Sequence, residues 1–199
     1  KLYKGIGEAI LGNYIRMGYI DVGPLLQMVS INPVEGQRFR LGFRTSSKLS
    51  KKFQLLMHGA YGTYDDAFKY GVSAFYMFSK NPHTIVGFRY KYDIEQLGQS
   101  TNAFSEDYFL RGILSRNKSE KLTMSKDLLI FAEKDWFMGF YNDLFLKYRV
   151  LYPLPGEEAF KFKEGNVTTT KEVITIAEIQ LLTHFAYNEK FISGAFRRK

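Results

Sequence analysis

The fold class this 199-residue chain predicts is all-β: an antiparallel transmembrane β-barrel, or a large part of one. Three observations predict it. Apolar and polar side chains alternate with period two along much of the chain, and a strand sends successive side chains to opposite faces. Several alternating runs last about ten to fifteen residues, against roughly five or six in an ordinary strand. Short and long links between runs fall at opposite ends, as in barrels that span a membrane.

The first run follows "INPVEGQRFRLGFRTS", Ile31 to Ser46. Arg38, Arg40 and Arg44 share one parity; Phe39, Leu41 and Phe43 share the other. "NPVEG" reads as the connection into this strand, with Gly36 as a turn position. In Phe68–Ser79 the residues Phe68, Tyr70, Val72, Ala74, Tyr76 and Phe78 share a face. Lys69, Gly71 and Ser73 begin the other face, which Phe75 and Met77 then interrupt. In His83–Glu95 the face Thr84, Val86, Phe88, Tyr90, Tyr92, Ile94 opposes Arg89, Lys91, Asp93 and Glu95. In Gly139–Tyr152 the aromatic and aliphatic face opposes Asp143, Lys147 and Arg149. Lys171–Tyr187 sets Val173, Ala177, Ile179, Leu181, Phe185 and Tyr187 against Glu172, Glu178, Gln180 and His184. These are half-buried strands by pattern. Residues Ile6–Ile20 read equally as a short helix or a further strand.

Links are expected near Ser47–Lys51, Tyr64–Ala67, Lys80–His83, Leu97–Met124, Phe137–Gly139, Pro153–Thr168 and Asn188–Lys190. Lys80–His83, Phe137–Gly139 and Asn188–Lys190 are short and fall at one end. Leu97–Met124 and Pro153–Thr168 are long and fall at the other. The count implies roughly eight to ten strands in one domain, residues 1–199. "LLIFA" at Leu128–Ala132 is about the longest apolar run. It is far too short for a membrane helix, so any span has to be made of strands.

Composition agrees. Aromatics make up 17% of the chain, with 14 Tyr and 18 Phe against one Trp, and such residues favour pleated surfaces. With no cysteine, disulfides and thiolate chemistry are excluded. The net charge of +8 raises nucleic acid as a partner. A single-strand-binding sheet, however, puts aromatics and cations on the same face, so that bases stack while phosphates are neutralised. Here they segregate, and acids interleave with the cations (Asp93, Glu95, Asp143, Glu172, Glu178). A polar interior whose charges pair across strands accounts for this better, and no nucleic-acid partner is expected. The residues expected to line that interior are Arg38, Arg40, Arg44, Arg89, Lys91, Asp143, Lys147, Arg149 and Glu178.

No motif announces chemistry. "GIGEAILG" at Gly5–Gly12 has its third glycine two residues late for a dinucleotide fingerprint, and no strand precedes it. His58, His83 and His184 have no metal-ligand spacing, and His58 and His184 read as ordinary residues of polar faces. Asp65-Asp66 and Glu106-Asp107 read as solvated turn residues, and Thr45–Ser47 lack a nucleophile elbow. The sequons at Asn117–Ser119 and Asn166–Thr168 fit exposed loops. No catalytic, cofactor-binding or metal-binding residue is expected.

The blocks "NPVEGQRFRLGFRTS", "HGAYGTYDDAFKYG" and "FRYKYDIEQLG" follow one another in order, and between about Asp21 and Leu154 the chain resembles a known group. These are outer-membrane proteins of Gram-negative bacteria that join an N-terminal carboxypeptidase-like regulatory domain to a C-terminal β-barrel of undefined function. The resemblance implies an outer-membrane barrel with a structural or transport-related role. It implies lipid or lipopolysaccharide as surroundings, other envelope proteins as partners, and no catalytic residue. The start at Lys1, without Met or signal peptide, reads as a piece of something longer, and strands that close the barrel are expected beyond Lys199. "LRG" at Leu110–Gly112 is faintly similar to a loop motif of barrel-assembly and secretion proteins, with Arg111 as the residue that would pack into the interior. Two alternatives stand beside the main reading: a soluble β-barrel that buries the same stripe and binds an apolar ligand, and a barrel of the assembly or translocation type.

Overall fold

The structure, a computed structural model, describes residues 14–32, 34–96, 122–164 and 167–187. As the alternation predicts, it is all-β and antiparallel. The strands are β1 (Ile15–Arg16), β2 (Ile20–Val22), β3 (Val29–Asn32), β4 (Gly36–Thr45), β5 (Phe53–Gly62), β6 (Phe68–Lys80), β7 (His83–Gln96), β8 (Leu122–Phe137), β9 (Phe140–Tyr152), β10 (Phe160–Glu164), β11 (Val167–Lys171) and β12 (Ile174–Phe185). No helix among the described residues is long and apolar enough to cross a membrane.

Ten strands form one sheet in the order β1-β2-β4-β5-β6-β7-β8-β9-β12, with β3 also paired to β4. β2 and β3 lie on the same side of β4: β2 pairs with Phe43–Thr45 and β3 with Gly36–Phe39. Between them a short 3-10 turn, Leu25–Gln27, breaks what is in effect one interrupted strand. The sheet is open, with β1 and β12 as its edges.

The long strands β6, β7, β8 and β9 run 13, 14, 16 and 13 residues. Residues 81–82 and 138–139 link strands at one end, as do residues 46–52. Residues 63–67 link strands at the other end, where Gln96 at the end of β7 pairs with Leu122 at the start of β8 and Leu151 of β9 pairs with Ile174 of β12. The expected long loop Pro153–Thr168 is not loop throughout. It holds most of a separate hairpin, β10–β11, in which Phe160 pairs with Lys171 and Glu164 with Val167. "FKFKE" and "VTTTK" are themselves short alternating segments, too brief to stand out from loop sequence by pattern alone.

The register gives each face its character. One face carries Arg38 and Arg40 of β4, Ala60 and His58 of β5, Lys69 and Gly71 of β6, and Lys91 and Arg89 of β7. It continues through Asp127 and Leu129 of β8, Arg149 and Lys147 of β9, and Ile176 and Glu178 of β12. The opposite face carries Phe39, Leu41, Met57, Tyr61, Val72, Phe88, Ile130, Leu146 and Ile179 along the same pairings.

Burial inverts the order of an ordinary soluble domain. Lys69, Asp127 and Ser125 are fully buried, and Asp93 and Glu35 nearly so. Phe39, Leu41, Met57, Phe88, Ile130, Leu146 and Ile179 are exposed. Large exposed apolar patches are rare on soluble monomers, and charged side chains are almost never fully buried unless paired.

Candidate functional site

The charged face is organised from one turn. Asn32 Oδ1 accepts hydrogen bonds from the backbone N–H of Val34 (3.1 Å) and of Glu35 (2.8 Å). Asn32 Nδ2 donates to Glu35 Oε2 at 2.6 Å. This is an Asx-type turn, which explains why Asn stands there. Gly36 follows with φ +67°, and a Cβ on it would lie 2.6 Å from Cδ1 of Tyr64, so its expected turn role stands.

The turn delivers the Glu35 carboxylate into the charged face. Arg38 Nη1 donates to it at 3.1 Å and Lys69 Nζ lies 2.8 Å away. Lys69 also pairs with Asp65, and Arg38 makes a two-pronged bond to Asp93, 2.8 Å on each prong. Asp65, Lys69, Glu35, Arg38 and Asp93 thus form one chain of alternating charges. Bidentate guanidinium–carboxylate contacts are the strongest class of such bonds, and burial makes mutual satisfaction obligatory.

A second group continues along β7, β8 and β9. Lys91 pairs with Glu95, Arg149 Nε lies 3.6 Å from Glu95 Oε2, and Arg89 Nη2 lies 3.6 Å from Asp127 Oδ2. At the β2 edge Arg44 Nε donates to Asp21 at 3.0 Å and its guanidinium stacks 3.6 Å above the Tyr14 ring. Arg40 donates to the side chain of Gln27 in the 3-10 turn.

The curvature of the sheet follows from these contacts. Arg38 on β4 and Asp93 on β7 are three inter-strand steps apart, about 14 Å in a flat sheet. Direct contact therefore requires the charged face to be concave. Small residues make room: Gly62 stands opposite Arg38, Ala60 opposite Arg40, and Gly71 opposite His58. A Cβ on Gly71 would run into the His58 ring.

Toward the short-link end the same face turns apolar. Met77, Ile85, Leu129 and Phe131 form a buried cluster, with Phe75 and Phe145 packed on it. Of the two residues that interrupt the polar parity of β6 in sequence, Met77 belongs to this cluster and Phe75 packs against it. Gly87 lies beneath them, and a Cβ there would come within 2.6 Å of Phe75 Cβ and 2.7 Å of the Ala74 carbonyl oxygen. Beyond the cluster, His83 Nε2 lies 3.3 Å from Glu133 Oε2. Among the described residues no group of His, Asp or Glu is arranged to hold a metal ion.

All nine residues expected to line the interior lie on the concave face by register, but they are not one group. Arg38, Arg89, Lys91 and Arg149 belong to the ion-pair clusters. Arg40 and Arg44 reach the β2–β3 side, and Lys147 stands opposite Glu178 on β12. Asp143 stands opposite Glu133 near the short-link end. Arg111, the link Asn188–Lys190 and the sequon asparagines Asn117 and Asn166 lie outside the described residues. Asp65 corrects an expectation: its carboxylate is buried against Lys69, not solvated. Glu35, Lys69 and Asp127 were not singled out as site residues. Parity did place Lys69 on the polar face, whereas Asp127 adjoins the apolar run "LLIFA", which hides it.

The outward face ends in aromatic and cationic residues at both ends. At the long-link end the Lys126 ammonium lies 5.1 Å from the Tyr152 ring centre and 5.9 Å from that of Tyr92, and the Tyr70 ring packs near those of Tyr90 and Tyr92. At the short-link end Lys134 lies 4.1 Å from the ring centre of Trp136, whose Nε1 donates to Asn142 at 2.8 Å. No family model matches the chain, and no curated protein or solved structure matches it either.

Proposed function

We propose that this chain is the membrane-embedded part of a bacterial outer-membrane β-barrel protein, with a structural or transport-related role and no catalytic step in this segment. The observation that carries the reading is the inverted partition of the sheet. Paired charges are buried on the concave face, and a continuous apolar face is exposed on the convex one.

On β8 the outward side chains run Lys126, Leu128, Ile130, Ala132, Lys134. Eight residues separate the two lysines, about 27 Å along the strand and about 20 Å along the normal of a membrane at usual barrel tilts. That is close to the apolar band of roughly 25 Å seen on outer-membrane barrels, and Lys, Tyr and Trp at both limits match their aromatic girdles. The resemblance of the Asp21–Leu154 region to barrels that follow a carboxypeptidase-like regulatory domain points the same way. The soluble alternative requires the apolar stripe to be covered, and here it is the exposed side. The packed charges and the apolar cluster favour a filled interior over a wide aqueous channel, so a scaffolding role is favoured over passive diffusion.

The test is solubility and gel behaviour. The protein is expected to need detergent or lipid to stay dispersed, and to migrate differently on denaturing gels with and without heating. A monodisperse population in plain buffer, with no heat-dependent shift, would overturn the reading.

A further inference from the structure

The outward positions of the long strands β4–β9 and β12 hold two cations, Lys126 and Lys134, and no carboxylate. Both lysines lie on β8, one at each limit of the apolar face. Lys126 is exposed and takes part in none of the ion pairs among the described residues. Its neighbours are phenols: the ammonium lies 5.1 Å from the Tyr152 ring centre and 5.9 Å from that of Tyr92. Tyr70 completes the cluster, its ring 6.1 Å from that of Tyr90 and 5.8 Å from that of Tyr92.

We infer that Lys126, with Tyr152, Tyr92 and Tyr90, binds the phosphate of a membrane lipid at the long-link end of the sheet. This inference rests on the membrane reading above. A cation at the edge of an apolar face needs a counter-ion, and the described residues supply none on that face. A lipid phosphate lies at this depth. The ammonium provides a strong point charge for it, and phenol hydroxyls add donors of the kind that charge-assisted bonds use. The rings offer apolar area to the first carbons of the acyl chains, which is how such residues sit at a membrane interface. Lys134 differs. It is placed over a single indole whose N–H is already engaged by Asn142, so no second donor joins it there.

The experiment uses the 199-residue chain in detergent micelles, titrated with a phosphomonoester lipid, with a diacylglycerol of the same chains, and with inorganic phosphate. Bound lipid is read by native mass spectrometry. Binding of the phosphorylated lipid is expected to exceed that of the diacylglycerol. Lys126→Ala should weaken it at least about tenfold, the effect of losing one charge-assisted hydrogen bond. Tyr152→Phe, which keeps the ring, should weaken it less, and Lys134→Ala should leave it unchanged. Equal binding by wild type and Lys126→Ala, an equal loss in Lys134→Ala, or competition by inorganic phosphate at the lipid's concentration overturns the site. A protein dispersed without detergent defeats the membrane reading itself, whereas normal detergent dependence with an inert Lys126→Ala defeats this site alone.

Discussion

Arg38 reaches past two intervening strands to hold both carboxylate oxygens of Asp93, at 2.8 Å each. The two residues are 55 apart in sequence. The contact closes the concave face between β4 and β7, and the Asx-type turn at Asn32 supplies Glu35 as a second acceptor for the same guanidinium.

Removing one partner should therefore be costly. Arg38→Ala takes from Asp93 its two-pronged partner and leaves Glu35 with Lys69 alone, and breaking a buried pair in this way costs about 3–5 kcal/mol. Asp93→Asn should cost less, because an amide still accepts one bond. The joint replacement Arg38→Met with Asp93→Leu should recover most of the loss, since apolar substitutes for a buried pair are often neutral. Urea unfolding of the refolded protein in detergent measures all three. Single variants within about 0.5 kcal/mol of wild type, the usual range of surface changes, would show that the pair does not hold the sheet.

The apolar cluster at the short-link end makes a separate prediction. Gly87 has no room for a side chain, since the Phe75 Cβ and the Ala74 carbonyl oxygen stand 2.6 and 2.7 Å from where its Cβ would be. One contact is to backbone, so rotamer changes cannot relieve it. Gly87→Val is expected to destabilise by about 1–3 kcal/mol through overpacking. Phe131→Leu on that background should return part of the loss by freeing space over the strand, and the same unfolding assay reads it.

How far these features were legible in the sequence follows from what period two encodes. Alternation assigns a face, and it placed Arg38, Lys69, Lys91, Asp93 and Arg149 on the charged side. It carries no information about which strands approach each other through curvature, so the bond of Arg38 to Asp93 was hidden. It also misled at Asp65, where a turn residue next to another acid looks solvated until Lys69 is seen to fold back onto it. Phe75 and Met77 look like breaks in a pattern because the character of the concave face changes from charged to apolar partway along β6. The long strands and the links near Ser47–Lys51, Tyr64–Ala67, Lys80–His83 and Phe137–Gly139 came through because long amphipathic strands and tight links leave a strong local signal. The β10–β11 hairpin did not, because its strands are five residues each and carry no sustained stripe.

The chain has one tryptophan, which makes intrinsic fluorescence a site-specific probe. Trp136 is half exposed, placed beside Lys134 at the short-link limit of the apolar face. Its indole should sit at headgroup depth, where amphipathic rings collect. In vesicles, lipids brominated near the headgroup should quench it more strongly than lipids brominated near the chain ends. Stronger quenching by the deep label, or none by either, would contradict this placement of the band.

Ile130 separates the membrane and soluble readings most cleanly. It stands midway between Lys126 and Lys134 on the outward face of β8 and is 46% exposed. On a water-soluble protein, arginine at so exposed a position should change stability by about 0.5 kcal/mol or less. At the midplane of a bilayer the same Ile130→Arg change should cost about 2–4 kcal/mol, because the guanidinium must leave water or drag it inward. Leu128→Arg, one outward position nearer the Lys126 girdle, should cost less, since the cost of a charge falls toward the interface. Folding titrations of the three proteins into lipid vesicles give the ordering. A graded loss, largest at Ile130, is the expected result. Equal and negligible effects at both sites would place this face in water and remove the basis for a membrane-spanning sheet.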